Sequence, residues 1–125
     1  MGSHKELVVW KKGIELVKSI YQSTSSFPVD ERFGLTNQMR RCSVSIPSNI
    51  AEGFARSSDK ELVQFLYISL GSSSELDTQL IISKELEYLS DQDYTGISLL
   101  NNEIGKMLSS LIYRRTNGLD TNKKL

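Results

Sequence analysis

Four stretches of this chain place an apolar residue at every third or fourth position, and this spacing restricts the possible folds more than any other feature. In the first stretch the row consists of Leu7, Trp10, Ile14, Val17 and Tyr21. In the last stretch it consists of Ile97, Leu100, Ile104, Met107 and Leu111. A period of about 3.6 residues is typical of an α-helix with one buried face. The chain is therefore predicted to be all-α.

A second apolar row gives the first helix, predicted over about residues 5–24, a wide apolar surface. This row lies beside the first and consists of Val9, Gly13, Leu16 and Ile20. Two neighbouring rows cover more of a helix than one helix–helix contact requires. We therefore expect part of this surface to pack against a second copy of the chain in a homo-oligomer.

The start of the second helix is indicated by its turn residues. A residue that precedes proline avoids the α conformation, so Phe27-Pro28 ends the first helix. Asp30 and Glu31 suit the first turn of the next helix, because carboxylates are favoured at helix N-termini. The buried positions of the second helix are then Leu35, Met39, Cys42, Ile46 and Ile50.

Pro47 lies inside this second apolar pattern. A proline in a helix interior removes the hydrogen bond to the carbonyl four residues earlier, which here belongs to Ser43. Neighbouring serine hydroxyls can bond the freed backbone groups. We predict a helix that is kinked at Pro47 and continues to about Glu52. The alternative is two short helices separated at Ile46.

Capping residues delimit the third and fourth helices. Ser58 and Glu61 have the spacing of a capping box, and Ser90 begins a second N-terminal cap. The run of Gly71 to Ser74 has low helix propensity, but the apolar spacing resumes after it, so we interpret it as a place of close packing. Asn117-Gly118 ends the fourth helix. Because the connections are short, the prediction is an antiparallel up-and-down four-helix bundle.

The 125 residues fit a single domain that needs neither disulfides nor a metal to hold its core. Residues 1–4 are typical of a cloning remnant, residues 5–118 are predicted to form the bundle, and residues 119–125 are predicted to be a disordered polar tail. Cys42 is the only cysteine, no signal peptide is visible, and no apolar run approaches the roughly 20 residues of a membrane span. These features favour a cytoplasmic protein without a membrane partner.

Little in the chain suits catalysis. The only histidine, His4, lies in the cloning remnant, which leaves no Ser-His or Cys-His pair and no histidine metal ligand. No glycine-rich phosphate loop follows a strand. Cys42 lies on the apolar row of the second helix and is interpreted as a small buried hydrophobe. We predict no enzymatic activity, no catalytic residue, no cofactor and no metal.

The charges are segregated along the chain although the formal net charge is zero. Residues 61–93 carry seven acids against one lysine, whereas residues 32–60 carry five bases against two acids. Either the helices complement one another, within the bundle or between subunits, or the bases form a face for RNA or DNA. The candidate contacts with nucleic acid or another ligand are Lys11, Lys12, Lys18, Arg40, Arg41, Asn49, Glu52, Arg56, Arg114 and Arg115.

Three of these candidates follow Pro47 at helical spacing. Asn49, Glu52 and Arg56 share one face if the helix continues. They form either a polar network that fixes the kink and holds the third helix, or a site for a polar or anionic ligand. Any nucleic-acid binding is expected to avoid the third helix, because its carboxylates repel phosphate.

Several strings of this sequence resemble the four-helix bundle proteins encoded within intervening sequences of bacterial 23S ribosomal RNA genes. The resemblance covers about residues 6–90, and the string from Val44 to Gly53, which contains Ser-Ile-Pro-Ser-Asn-Ile-Ala-Glu-Gly, is long and unusual. The other strings are Leu7–Lys12, Glu15-Leu16, Phe27-Pro28, Glu31–Thr36, Gln38–Arg41, Arg56-Ser57, Phe65-Leu66, Gly71-Ser72, Glu75-Leu76 and Thr78–Leu80.

This resemblance implies a four-helix bundle subunit that assembles as a homo-oligomer, commonly a pentameric barrel. It also implies a relation to the accessory (variability determinant) proteins of diversity-generating retroelements, which look like nucleic-acid binders that partner a reverse transcriptase. The neutral charge of this chain and its acidic third helix depart from that basic type. Two functions therefore follow as expectations: a nucleic-acid-binding accessory protein, or an oligomeric scaffold whose partner is another protein.

Overall fold

The computed structural model describes residues 3–119, and within them it is an all-α four-helix bundle. The helices are α1 (Val8–Thr24), α2 (Leu35–Phe54), α3 (Asp59–Glu85) and α4 (Asp91–Thr116), and short 3-10 helices span His4–Glu6 and Val29–Glu31. Each helix packs against the next in sequence, and α1 also packs against α4. The backbones of diagonal helix pairs do not approach one another in this part of the chain, which confirms the predicted bundle.

The core lies along the bundle axis and is formed by aliphatic side chains from every helix. Each such side chain contributes roughly 1.5–3 kcal/mol when it is fully buried. The completely enclosed apolar side chains are Leu16, Ile20, Met39, Ile46, Ile50, Leu66, Leu76, Leu80, Ile104, Leu108 and Leu111.

The first two helices begin later than the sequence pattern indicates. Leu7 is extended, so residues 4–6 form a separate 3-10 turn before α1. Asp30 and Glu31 were predicted to lie in the first turn of α2, but they lie in a separate 3-10 turn before it. The Glu31 carboxylate nevertheless serves the helix, since its Oε1 accepts a hydrogen bond from the Leu35 amide at 3.0 Å.

Helix α2 continues through Pro47, so the alternative of two short helices is wrong. The proline ring lies against α1 at Gly13, where an added Cβ would stand 3.3 Å from the Pro47 Cβ. The neighbouring serines bond elsewhere: the Ser43 hydroxyl donates to the Arg40 carbonyl at 2.9 Å, and Ser45 pairs with the Ser72 hydroxyl at 2.8 Å. Helix α1 therefore approaches α2 closely at Pro47, the residue that cannot donate a hydrogen bond to the Ser43 carbonyl.

The serine run of α3 lies within a continuous helix, as predicted, and joins its neighbours through hydrogen bonds. The Ser69 hydroxyl donates to the Ile46 carbonyl of α2 at 2.9 Å. On the other side, the Asn101 Nδ2 of α4 donates to the Ser73 carbonyl, and the Ser73 hydroxyl donates to the Asn101 Oδ1, both at 2.9 Å. All of these groups are buried, so the bonds compensate the loss of water.

The ends of α3 and α4 are capped largely as the sequence indicates. The Ser58 hydroxyl accepts from the Glu61 amide at 3.2 Å, but the Glu61 carboxylate bonds the Ser58 hydroxyl and not the Ser58 amide. The Ser90 hydroxyl accepts from the Asp93 amide at 3.1 Å. Gly118 takes the left-handed conformation that ends α4, with φ of 64°. Most of the predicted tail, residues 120–125, lies outside the described part of the chain.

Candidate functional site

One of the two apolar rows of α1 is buried in the bundle and the other is partly exposed. Val9, Gly13, Leu16 and Ile20 face the core. The other row, Trp10, Ile14, Val17 and Tyr21, is called the outer seam below. Ile14 is 38% exposed and Tyr21 is 43% exposed, whereas Trp10 and Val17 are half-buried. The outer seam is therefore an apolar strip that its own bundle covers only in part.

Arg40 of α2 closes one end of the outer seam. Its guanidinium carbon lies 4.5 Å from the centre of the Tyr21 ring, and its Nε donates to the Thr24 hydroxyl at 2.9 Å. Val44 follows Arg40 by one helical turn on the same side of α2 and is 38% exposed. The apolar strip therefore extends from α1 onto α2.

Asn49 and Glu52 lie on the other side of α2, next to α3, and Arg56 follows the end of α2 at Phe54. The Asn49 side chain donates to the Ser45 carbonyl at 2.8 Å and to the Ser45 hydroxyl at 2.9 Å. Arg56 forms an ion pair with Glu52 at 2.6 Å, and its guanidinium covers the Phe65 ring at 4.8 Å. These polar groups are paired with one another and with the backbone, which is the arrangement of a network that holds α2 and α3.

The remaining basic candidates fall into two classes. Lys11, Lys18, Arg41 and Arg114 are exposed, and none of them forms an ion pair within residues 3–119. In contrast, Lys12 of α1 pairs with Glu103 of α4 at 3.4 Å, and Arg115 is 5% exposed and pairs with Asp59 at 3.1 Å. The ten candidate residues thus do not converge on one site.

The burial of Arg115 is a feature that the sequence analysis did not anticipate. Arg115 follows Leu111 by four residues and Leu108 by seven, and both leucines are fully buried. This spacing places the arginine on the core side of α4. The same period could have distinguished it from Arg114, which points outward.

The charge of the molecule divides between two halves of the bundle. Residues 3–56, which contain α1 and α2, carry eight lysines and arginines against five carboxylates. Residues 57–119, which contain α3 and α4, carry five against nine. The surface near the outer seam is therefore the more basic one, and the opposite side of the bundle is acidic.

Cys42 lies between α2 and α3 and is buried, as predicted. Its thiol donates to the Ser72 carbonyl at 3.0 Å. Burial, with a smaller contribution from the nearby Glu75 carboxylate, raises the pKa of the Cys42 thiol to about 12. A thiol that holds its proton so firmly is a poor nucleophile.

Within residues 3–119, no three His, Cys, Asp or Glu side chains come together as ligands for a metal ion. Over the same range no helix has the length and apolar character needed to cross a membrane.

Comparisons with known proteins agree on one family. The model of the family described as 23S rRNA-intervening sequence protein matches residues 5–110. A crystal structure of a protein with unknown function from the S23 ribosomal protein family of Bacteroides thetaiotaomicron VPI-5482 has a TM-score of 0.76 and 28% sequence identity. The similarity covers 84% of this chain and 98% of that protein. No curated protein sequence matches the chain.

Proposed function

Because this chain belongs to the 23S rRNA-intervening sequence protein family, we propose that it is a non-enzymatic bundle protein that works as a homo-oligomer in the cytoplasm. A ring of five subunits is the assembly we expect. In this proposal the ring is an accessory protein that binds RNA or DNA, as the accessory proteins of diversity-generating retroelements are thought to do.

The outer seam of α1 is the observation that carries the proposal. Monomeric proteins seldom leave a contiguous apolar strip in water, and such strips are typical of association surfaces. Trp10 and Tyr21 supply aromatic side chains, which are enriched at protein interfaces. The outer seam therefore has the composition of a subunit contact.

The division of charge supports a head-to-tail arrangement of the subunits. A contact between the basic α1–α2 side of one copy and the acidic α3–α4 side of the next would pair opposite charges. Contacts between two different surfaces close into a ring when the rotation permits it. A ring of this type would use the surfaces of both halves.

Measurement of molar mass by light scattering tests the assembly. We expect the unaltered protein to have the mass of several chains, and Ile14→Glu to reduce it to that of one chain, since the carboxylate would be buried in the contact. Val29→Glu is the control, because Val29 is 81% exposed and lies outside the outer seam. A single-chain mass for the unaltered protein at micromolar concentration would contradict the proposal.

Nucleic-acid binding is assigned to the four candidate bases that are exposed and form no ion pair within residues 3–119, namely Lys11, Lys18, Arg41 and Arg114. Clusters of this type would repeat around a ring, so several weak contacts could act on one long strand. Phosphate contacts release counterions, so binding should fall by about 10³-fold or more between 50 and 200 mM salt if six or more phosphates are contacted.

A pair of charge-matched double variants tests this assignment in an electrophoretic shift assay at two salt concentrations. Lys11→Gln with Arg41→Gln should weaken binding to all sequences and reduce its salt dependence. Lys60→Gln with Lys106→Gln removes the same charge from α3 and α4 and should have little effect. Equal losses in the two double variants would contradict the assignment to Lys11 and Arg41.

The second candidate function is an oligomeric scaffold that binds another protein and no nucleic acid. It is favoured by the number of bases that are already engaged within the bundle, since Lys12, Arg56 and Arg115 form ion pairs and Arg40 is stacked on Tyr21. An oligomer that shows no salt-dependent affinity for RNA or DNA would support this alternative.

A further inference from the structure

A cavity of about 430 Å³ opens at the end of the bundle where α2 and α4 end and α1 and α3 begin. Phe54 and Leu62 give it an apolar wall, and Arg56, Ser58 and Arg115 give it polar groups. It lies away from the middle of the outer seam. Ser58 caps α3 and Arg56 pairs with Glu52, but neither subunit association nor the exposed lysines of α1 explains the presence of Arg115.

Arg115 is the unusual group in this cavity. Its side chain is 2% exposed, and only its Nη1 has a partner, the Asp59 Oδ1 at 3.1 Å. The Nε and Nη2 atoms are buried and have no hydrogen-bond acceptor within residues 3–119. Buried donors without acceptors are rare and costly, and a charged donor is the most costly of all.

The two unpartnered nitrogens form a geometrically defined edge. The N–H of Nε and one N–H of Nη2 point the same way in a guanidinium, and this pair matches the two oxygens of a carboxylate or phosphate. The Phe54 ring centre lies 5.4 Å from the guanidinium carbon and restricts its orientation. The edge is therefore held in place before any ligand arrives.

The end of α3 favours an anion in this cavity. Arg56 and Arg115 also line it, and each is paired with one carboxylate, Arg56 with Glu52 at 2.6 Å and the Arg115 Nη1 with Asp59 at 3.1 Å. Ser58 and Asp59 also line it, so the N-terminus of the 27-residue helix α3 begins at the same place. The unpaired amides and the dipole of a long helix stabilise negative charge at this end.

We infer that this cavity binds a small oxyanion, the phosphate or carboxylate group of a small molecule, through the Nε and Nη2 edge of Arg115. The enclosure of this edge excludes the backbone of a nucleic-acid strand, which needs an open surface. The inference is thus independent of the proposed nucleic-acid binding. It requires that the edge bind two oxygens at once, because single contacts would not satisfy both donors.

The first test follows the Arg115 Nε–H signal in a nitrogen–proton correlation spectrum of the full chain. Inorganic phosphate and acetate are titrated separately at constant ionic strength, with chloride as the control. We expect this signal to move with saturation for phosphate or for acetate but not for chloride, and the anion that binds more tightly identifies the class. An Arg115 signal that moves with neither anion up to concentrations of about 10 mM, or equally with chloride, would overturn the inference.

Variants then separate ligand binding from stability. Arg115→Lys keeps the charge but loses the fork, so affinity for the anion should fall about tenfold or more. Arg115→Met should leave the melting temperature without anion unchanged or higher, because it removes a buried charge while Asp59 stays half exposed. It should also abolish the rise in melting temperature that the anion causes.

Lys106→Gln is the control that removes one positive charge elsewhere on α4, because Lys106 is exposed and does not line the cavity. This variant should keep the full response to the anion. If Arg115→Met responds to the anion as the unaltered protein does, the site is not at Arg115 and the inference fails.

Discussion

The helix pair α1–α2 and the helix pair α3–α4 differ both inside and outside the bundle. In the first pair the inner contact is close and apolar, with Gly13 against the Pro47 ring, and the outer surface carries a partly covered apolar seam. In the second pair the inner contact contains the reciprocal hydrogen bonds of Ser73 and Asn101, and the surface is rich in carboxylates. The two pairs therefore serve different purposes in one fold.

The difference separates the surface suited to association with other chains from the contacts that fix the arrangement of the helices. An apolar contact gives affinity without fixing direction, and an exposed apolar strip favours association with another surface. A buried polar pair adds little net stability but penalises every arrangement in which its groups lose their partners. The first pair is thus suited to assembly and the second to holding the helices in one arrangement.

The largest effect is expected from a substitution that breaks the polar contact between α3 and α4. Asn101→Ala should lower the free energy of unfolding by about 2 kcal/mol, because it removes both side-chain bonds to Ser73, leaves the Ser73 hydroxyl only the longer bond to the main-chain carbonyl of residue 101 at 3.4 Å, and opens a small cavity. Urea denaturation measures this loss. Asn102→Ala is the control, since Asn102 is exposed and its loss should stay within about 0.5 kcal/mol. Equal losses at the two positions would contradict the assigned role of Asn101.

A pair of glycine substitutions compares the tightness of the two contacts. Alanine gains about 1 kcal/mol of helix propensity over glycine at either position. At Gly105 an added Cβ would lie 3.6 Å from the Ser73 Oγ, an ordinary contact, so Gly105→Ala should stabilise the protein by about 0.5–1 kcal/mol. At Gly13 the rigid Pro47 ring stands at 3.3 Å, so Gly13→Ala should destabilise by about 1 kcal/mol. Thermal unfolding of both variants checks the difference, and the same sign at both sites would refute it.

The smallest expected effect concerns the boundary between the two pairs, where Cys42 of α2 faces α3. The folded pKa of this thiol is about 12 against an ordinary value of 9.0, so above pH 9 the unfolded chain loses a proton that the folded chain keeps. Its contribution to stability is complete below pH 9 and declines as the pH rises toward 12. Between pH 8 and 9.5 the unfolding equilibrium should shift by about fourfold more in the unaltered protein than in Cys42→Ala. Chemical denaturation at the two pH values measures it, and parallel changes would show that Cys42 ionises normally.

The bundle itself was predictable because its signals are local. Helical periods, caps and short connections all lie within a few residues of one another, and each survives in the structure. The starts of α1 and α2 were misplaced because acids and a leucine near a helix end are equally compatible with a 3-10 turn. At Pro47 the continuous helix α2 lies against Gly13 of another helix, and no local signal reveals such a contact.

The candidate site was less predictable, because a list of basic residues does not tell which of them are engaged. Arg40 lies on Tyr21, Lys12 pairs with Glu103, and each of these contacts joins residues that are far apart in sequence. Arg115 is the exception, since its spacing from Leu111 already placed it on the inner side of α4. Charge alone suggested a phosphate contact there, and the helical period argued otherwise.

The reciprocal bonds of Ser73 and Asn101 have a consequence for how α3 and α4 are aligned along the bundle axis. Ser73 lies 14 residues after Asp59 on α3, and Arg115 lies 14 residues after Asn101 on the antiparallel α4. The two contacts therefore fix the register of α3 against α4 at two points, about 21 Å apart along the axis. A shift of one helix along the other by one turn, about 5.4 Å, would break both contacts at once. The bonds between Ser73 and Asn101 in the middle of the bundle thereby help to set the position of the Arg115 guanidinium at its end.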